Sequence, residues 1–169
     1  SGGYNLKPRG HIEDMQLDKA GACVVFGLAK LLPKLNLKQR VIIVAPITES
    51  LIGKNAFKPS EIIKTYAGKT VEITNTDGEG RLILADAIAY TIDEFKPKFL
   101  IDIATLTGAC MVALGDRYAG ILGNDKELAE KLQKAGDETD ELLWPLPIHK
   151  DFSEKMKGVY ADLRNADLG

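Results

Sequence analysis

Residues 70–94 read TVEITNTDGEGRLILADAIAYTIDE, and their pattern changes within a few positions. Thr70 to Thr74 is a short β-branched run that predicts a strand. From about Leu82 to Glu94 the apolar residues Leu84, Ala87 and Ile88, with Thr91, fall on one helical face and predict a helix. Between them lies the polar loop Asn75-Thr76-Asp77-Gly78-Glu79-Gly80-Arg81, so a strand end is joined to a helix start. The same alternation recurs along the chain. Residues 19–32 predict a helix buried on most sides and stopped by Pro33, and residues 40–47, RVIIVAPI, predict a strand buried on both faces. Phe99 to Thr105 and Ala119 to Leu122 predict further strands, and Asp125 to Lys134 an amphipathic helix. Strands alternating with helices give an α/β fold, a largely parallel or mixed sheet flanked by helices, with ligands expected at the carboxyl ends of strands.

The loop admits two readings. Asp77 and Glu79 are two residues apart with glycines beside them, and oxygen donors on a tightly folded backbone suit a hard or borderline divalent cation. Arg81, at the helix start, suits an anion assisted by loop and helix amides. The plainer reading is a solvated turn in which Asp77 or Glu79 caps the helix.

Composition narrows the function classes. The chain has 169 residues, 45% apolar and 27% charged, which fits a soluble domain with a sizeable core and excludes disorder, collagen and coiled coil. Twenty-two basic against 24 acidic residues give a net charge of −2, with no basic stripe to steer the chain to nucleic acid or anionic lipid. The longest apolar stretch, Ala20 to Leu32 interrupted by Lys30, is shorter than the roughly 20 residues that span a bilayer, so no membrane partner is expected. Cys23 and Cys110 each sit in an apolar run and are expected to be buried free thiols in a reducing, cytoplasmic setting. No run of the type Gly-x-x-x-x-Gly-Lys-Ser/Thr supports a nucleotide phosphate cradle, and two carboxylates in the loop oppose one.

Asn75-Thr76-Asp77-Gly78-Glu79-Gly80-Arg81-Leu82 resembles the signature Asn-Thr-Asp-Ala-Glu-Gly-Arg-Leu of the leucyl aminopeptidase family of dimetal cytosol aminopeptidases, departing only by Gly at position 78. The resemblance continues in register. Ser1-Gly2-Gly3-Tyr4-Asn5-Leu6-Lys7-Pro8 is similar to the family's segment leading to a catalytic lysine, which favours it over an expression remnant. Met15 to Ala22, Asn55-Ala56-Phe57-Lys58-Pro59 and Asp102 to Ala109 resemble three further family stretches in the same order.

The resemblance implies a metal-dependent aminopeptidase releasing N-terminal amino acids, leucine-type, from peptides. It implies two divalent ions, Mn²⁺ or Zn²⁺, held by Asp18, Asp77 and Glu79, with Glu79 bridging. Lys7 and Arg81 would be the catalytic cations, Lys7 at the oxyanion and Arg81 holding a bicarbonate that acts as general base. Substrate contacts are implied for Lys7, Met15, Asp77, Thr105, Leu106 and Gly108. The amide of Gly78 would touch the anion on Arg81, where extra backbone freedom costs some tenths to about 1 kcal/mol of preorganisation. His11 and His149 match no family ligand. The family forms homo-hexamers.

By the same resemblance, residues 1–169 are expected to be the interior of one catalytic domain, with an N-terminal domain and both ends of the catalytic domain lying outside them. A metal-binding Lys and a metal-bridging Asp would precede Ser1, so these residues alone are expected to hold one ion and to be poorly active or inactive. The alternative is a non-catalytic binding or regulatory module that keeps the peptidase fold.

Overall fold

A strand forms where the β-branched run from Thr70 predicts it. In the computed structural model, which describes residues 2 to 167, β2 covers Thr70–Glu72 and the next residue, Ile73, is completely buried. Strand β1, Ile62–Lys64, pairs antiparallel with β2, and β5, Leu163–Arg164, pairs parallel on its other side. The three-stranded sheet is therefore mixed. Pairing continues past the strand ends through Ser60 N–H to the Ile73 carbonyl and Asn165 N–H to the Glu72 carbonyl. Val71, Ile73 and Ala166 form the buried apolar centre, beside buried Thr76 and Asn165.

After β2, a single 3₁₀ turn, Thr76–Gly78, leads directly into α2, Glu79–Phe95. The helix begins three residues earlier than its apolar periodicity predicts, because Asn75 caps the turn by accepting the Asp77 N–H at 2.8 Å. Glu79 thereby sits in the first turn, where the positive end of the helix dipole favours a carboxylate. The helix closes on Lys96 in the left-handed region, immediately before Pro97.

The chain divides into two compact units, one running up to Leu106 and resuming at Met156, the other Thr107–Lys155. The first unit holds the β1-β2-β5 sheet, α2 and α1, Ala20–Leu31. Gly21 of α1 is buried, and a Cβ there would lie 2.2 Å from the Ile103 carbonyl oxygen, so this position admits only glycine. The segment leading into Asn165 is tied down by Asp162, which accepts the Thr70 N–H and hydroxyl at 2.8 and 2.9 Å. Those bonds hold its carboxyl below the usual carboxylate range. The tie is present above the unfolded-state pKa and is lost only as pH falls through the lowered folded value.

In the second unit, β3, Ala119–Ile121, pairs parallel with β4, Leu143–Pro145, across the crossover helix α4, Lys126–Thr139. This is a βαβ arrangement. Asp125 caps α4 by accepting the Leu128 N–H at 3.0 Å, and Tyr118 meets Trp144 edge-on at 5.9 Å. Two short helices, α3 at Ala109–Leu114 and α5 at Lys150–Lys155, complete the unit.

Several sequence expectations are corrected. Helix α1 forms as predicted, but Val24, Phe26 and Leu31 are about half exposed, so it is not buried on most sides. Residues 40–47 and 99–105 form no strand and have no ladder partners among the described residues; Val41, Ile47, Phe99, Ile101 and Ile103 are exposed. An apolar run states a preference for burial, whereas a strand needs a partner for its backbone groups. Cys23 is exposed and Cys110 half-buried, both free, where buried thiols are expected.

Candidate functional site

The polar loop does not stand in solvent as an ordinary turn. Thr76 is completely buried: its hydroxyl donates to the Gly2 carbonyl at 2.6 Å and accepts the Asn5 N–H at 2.8 Å. The Asn5 side chain in return accepts the Thr76 N–H at 2.9 Å. Gly3 makes this approach possible, since at φ +61° a Cβ would lie 2.5 Å from the Phe57 carbonyl and 2.8 Å from the Thr76 methyl. The Gly-Gly and Asn-Ala-Phe stretches quoted above are thus joined around Thr76, while Ser1 lies outside the described residues.

This grip carries Lys7 to Asp77. The Lys7 Nζ lies 2.5 Å from Asp77 Oδ1, with both side chains about three-quarters buried. Glu79 follows at the start of α2, and its Oε2 is buried. On the far side of the loop, Arg81 Nη1 donates to the Asn165 carbonyl at 2.8 Å. A carboxylate that already draws in an ammonium, two residues from a carboxylate with a buried oxygen, is a donor set that suits a hard cation.

The remaining predicted residues are placed as follows. Asp18 ends the 3₁₀ helix Glu13–Leu17 and accepts the Thr105 hydroxyl at 2.6 Å, which links two of the predicted positions. Met15 is half-buried on that same helix. The Leu106 side chain lies against Gly80, where a Cβ would stand 3.2 Å from it. Gly108 precedes α3 in the other unit. Among the described residues no group of three or more His, Cys, Asp and Glu is close enough to hold a metal, so Asp18 is not gathered with Asp77 and Glu79 into one cluster.

Sequence reasoning misses three residues that build the loop: Asn5, Thr76 and Asn165. The first two lie inside quoted stretches, where spacing gives no hint that they meet. Asn165 is separated from the loop by about 90 residues and carries no local signal.

Gly78 is buried, and its departure from the family signature has a structural setting. A Cβ there would lie 3.0 Å from Asn165 Nδ2 and 3.7 Å from Arg81 Nε. Gly78→Ala gains about 0.4–1 kcal/mol from the unfolded chain but presses on an amide fixed by several hydrogen bonds, an overpacking cost of about 1–3 kcal/mol. The expected result is a net loss of about 1 kcal/mol in urea denaturation, shrinking when Asn165 is also truncated.

A sequence profile of the Cytosol aminopeptidase family, catalytic domain, matches residues 1–168. A probable cytosol aminopeptidase of Geobacter sulfurreducens is 49% identical over 166 residues, 98% of this chain and 33% of the relative. One of Geobacter sp. (strain M21) is 48% identical over 98% of the chain and 34% of the relative. Another, of Cenarchaeum symbiosum, is 44% identical over the whole chain and 35% of the relative. The chain therefore spans about a third of the length of the curated relatives it matches. On this match, and with its mixed sheet flanked by helices, the chain belongs to the cytosol aminopeptidase family, as part of its catalytic domain.

Proposed function

We propose that this chain carries the cation-binding core of a metal-dependent aminopeptidase acting on peptides with a free N-terminus, leucine-type. The observation that supports this most is the Lys7 ammonium on Asp77, two residues from Glu79 with its buried oxygen, inside a loop locked by Thr76 and Asn165. The relatives' names supply the reaction class.

Asp77 and Glu79 would hold a first divalent ion, Mn²⁺ or Zn²⁺, and Asp18 would serve a second. Such ions, when bound, supply Lewis acidity and a water activated at neutral pH. Lys7 is the group we assign to the negative charge that develops on the substrate carbonyl oxygen. Arg81, its guanidinium anchored on the Asn165 carbonyl, would hold a bicarbonate-sized anion, which would supply a general base for the attacking water. Met15, Thr105, Leu106 and Gly108 are assigned to the substrate.

Three carboxylates are too few to hold two mutually repelling dications, so residues 1–169 by themselves are assigned one ion and little or no activity. We assign residues 1–169 to the interior of a single catalytic domain within a cytoplasmic homo-hexamer. No described helix is long and apolar enough to cross a membrane.

The test is hydrolysis of leucine p-nitroanilide with added Mn²⁺. It compares residues 1–169 with the same residues carried in a polypeptide of the relatives' full length. The longer polypeptide is expected to cleave in a chelator-sensitive way, and residues 1–169 to cleave at most weakly. Absence of cleavage by the longer polypeptide contradicts the peptidase reading. Robust cleavage by residues 1–169 contradicts the account of their ligand set.

A further inference from the structure

We propose that Asn165 is a positioning residue that sets the Asp77 loop and the Arg81 guanidinium in register with each other, an inference that rests on the reading of both as site groups. Asn165 is 2% exposed, and every polar part of it is committed to the loop or to its approach. The side-chain Oδ1 accepts the N–H groups of Thr74 and Asn75 at 2.8 and 3.2 Å. The side-chain Nδ2 donates to the Asn75 carbonyl at 2.6 Å and to the Gly78 carbonyl at 3.4 Å. The backbone N–H donates to the Glu72 carbonyl at 3.0 Å, and the backbone carbonyl accepts Arg81 Nη1 at 2.8 Å.

This arrangement needs a planar group that accepts on one side and donates on the other, at a side-chain length that reaches both ends of a four-residue loop. Two N–H donors on one side and two carbonyls on the other fix the orientation of the amide. Only asparagine meets those terms: aspartate lacks the donors, and an apolar residue would leave buried backbone groups unsatisfied. The consequence is a rigid link between opposite charges. Asp77 sits between Asn75 and Gly78, both bound by the side chain, while Arg81 is bound by the backbone of the same residue. Movement of the loop relative to Arg81 therefore requires Asn165 to release one of them.

What Arg81 binds of Asn165 is the backbone carbonyl, which survives in any variant. Loss of order at Arg81 on truncating the side chain therefore reports transmission through the loop, which global stability alone does not produce. The experiment uses the 169-residue chain as wild type, Asn165→Ala and Asn165→Asp, each well below its own unfolding midpoint. It follows the Arg81 guanidinium ¹⁵N signals by NMR, exchange of the Thr74 and Asn75 amides, and Mn²⁺ affinity by water-proton relaxation.

Asn165→Ala is expected to bring Arg81 into fast averaging, to speed exchange of both amides at least tenfold and to weaken Mn²⁺ binding at least tenfold. Asn165→Asp keeps the acceptor oxygen and is expected to recover protection of the two amides. Arg81 signals and Mn²⁺ affinity within twofold of wild type in Asn165→Ala would overturn the proposal. If the wild-type chain binds no Mn²⁺, the cation-site reading fails, and the Arg81 and amide signals still decide whether Asn165 positions the loop. If Asn165→Ala does not fold, Asn165→Asp decides: unchanged exchange of Asn75 together with ordered Arg81 supports the acceptor half of the link, and loss of both overturns it.

Discussion

Asp77→Ala is expected to lower Mn²⁺-dependent hydrolysis of leucine anilide by at least about 10³-fold in a polypeptide that is active when wild type. The carboxylate is one of only two acidic groups in the loop. At a contact distance of about 4 Å and an effective dielectric of about 20, one charge pair contributes about 4 kcal/mol, or nearly three decades in affinity. The substitution also leaves the Lys7 ammonium, now in contact with Asp77, without that partner, and its positive charge then opposes a cation nearby. Both effects have the same sign. Asp77→Asn, which keeps the shape and removes the charge, is expected to behave like the alanine variant. Activity within tenfold of wild type in either would place the cation elsewhere.

Thr76→Val is expected to destabilise the chain by about 2–4 kcal/mol, read from urea denaturation. Valine matches threonine in shape, so the effect isolates the hydroxyl. That hydroxyl is completely buried, donates to the Gly2 carbonyl at 2.6 Å and accepts the Asn5 N–H at 2.8 Å. Gly2 is itself buried, so its carbonyl loses its bond without gaining water, at a cost of about 1–3 kcal/mol. Asn5 is exposed and its amide recovers water at lower cost. Thr76→Ser retains the hydroxyl and is expected to lose only about 1 kcal/mol of methyl packing. The segment carrying Lys7 is fastened through this residue, so Thr76→Val is also expected to loosen the Lys7–Asp77 pair. Equal stability of the valine and wild-type chains would show that the buried hydroxyl does not hold the N-terminal segment.

The strand, turn and helix around Asp77 are legible in sequence because three local signals agree there: a β-branched run, a glycine-punctuated acidic loop and a helical apolar face. The same local reading fails at 40–47 and 99–105, where apolar runs lack ladder partners, and at Cys23, whose apolar neighbours do not cover it. Burial is decided by what packs against a segment, which its own residues do not state. The site divides along the same line. Lys7 and Asp77 appear in motifs and meet at 2.5 Å, and Asp18 meets Thr105, whereas Asn165 enters the loop from about 90 residues away. A single asparagine near the chain end has no pattern to betray it. Its importance comes from the parallel pairing of β5 with β2, which delivers it to the strand end just before the loop.

Whether the Asp77 loop is a cation site is read by titrating residues 1–169 with Mn²⁺, followed by water-proton relaxation, beside Asp77→Ala. Saturation at one ion per chain, reversal by chelator and loss of saturation in the variant are expected. No saturable binding by the wild type, or binding that Asp77→Ala leaves intact, would contradict it.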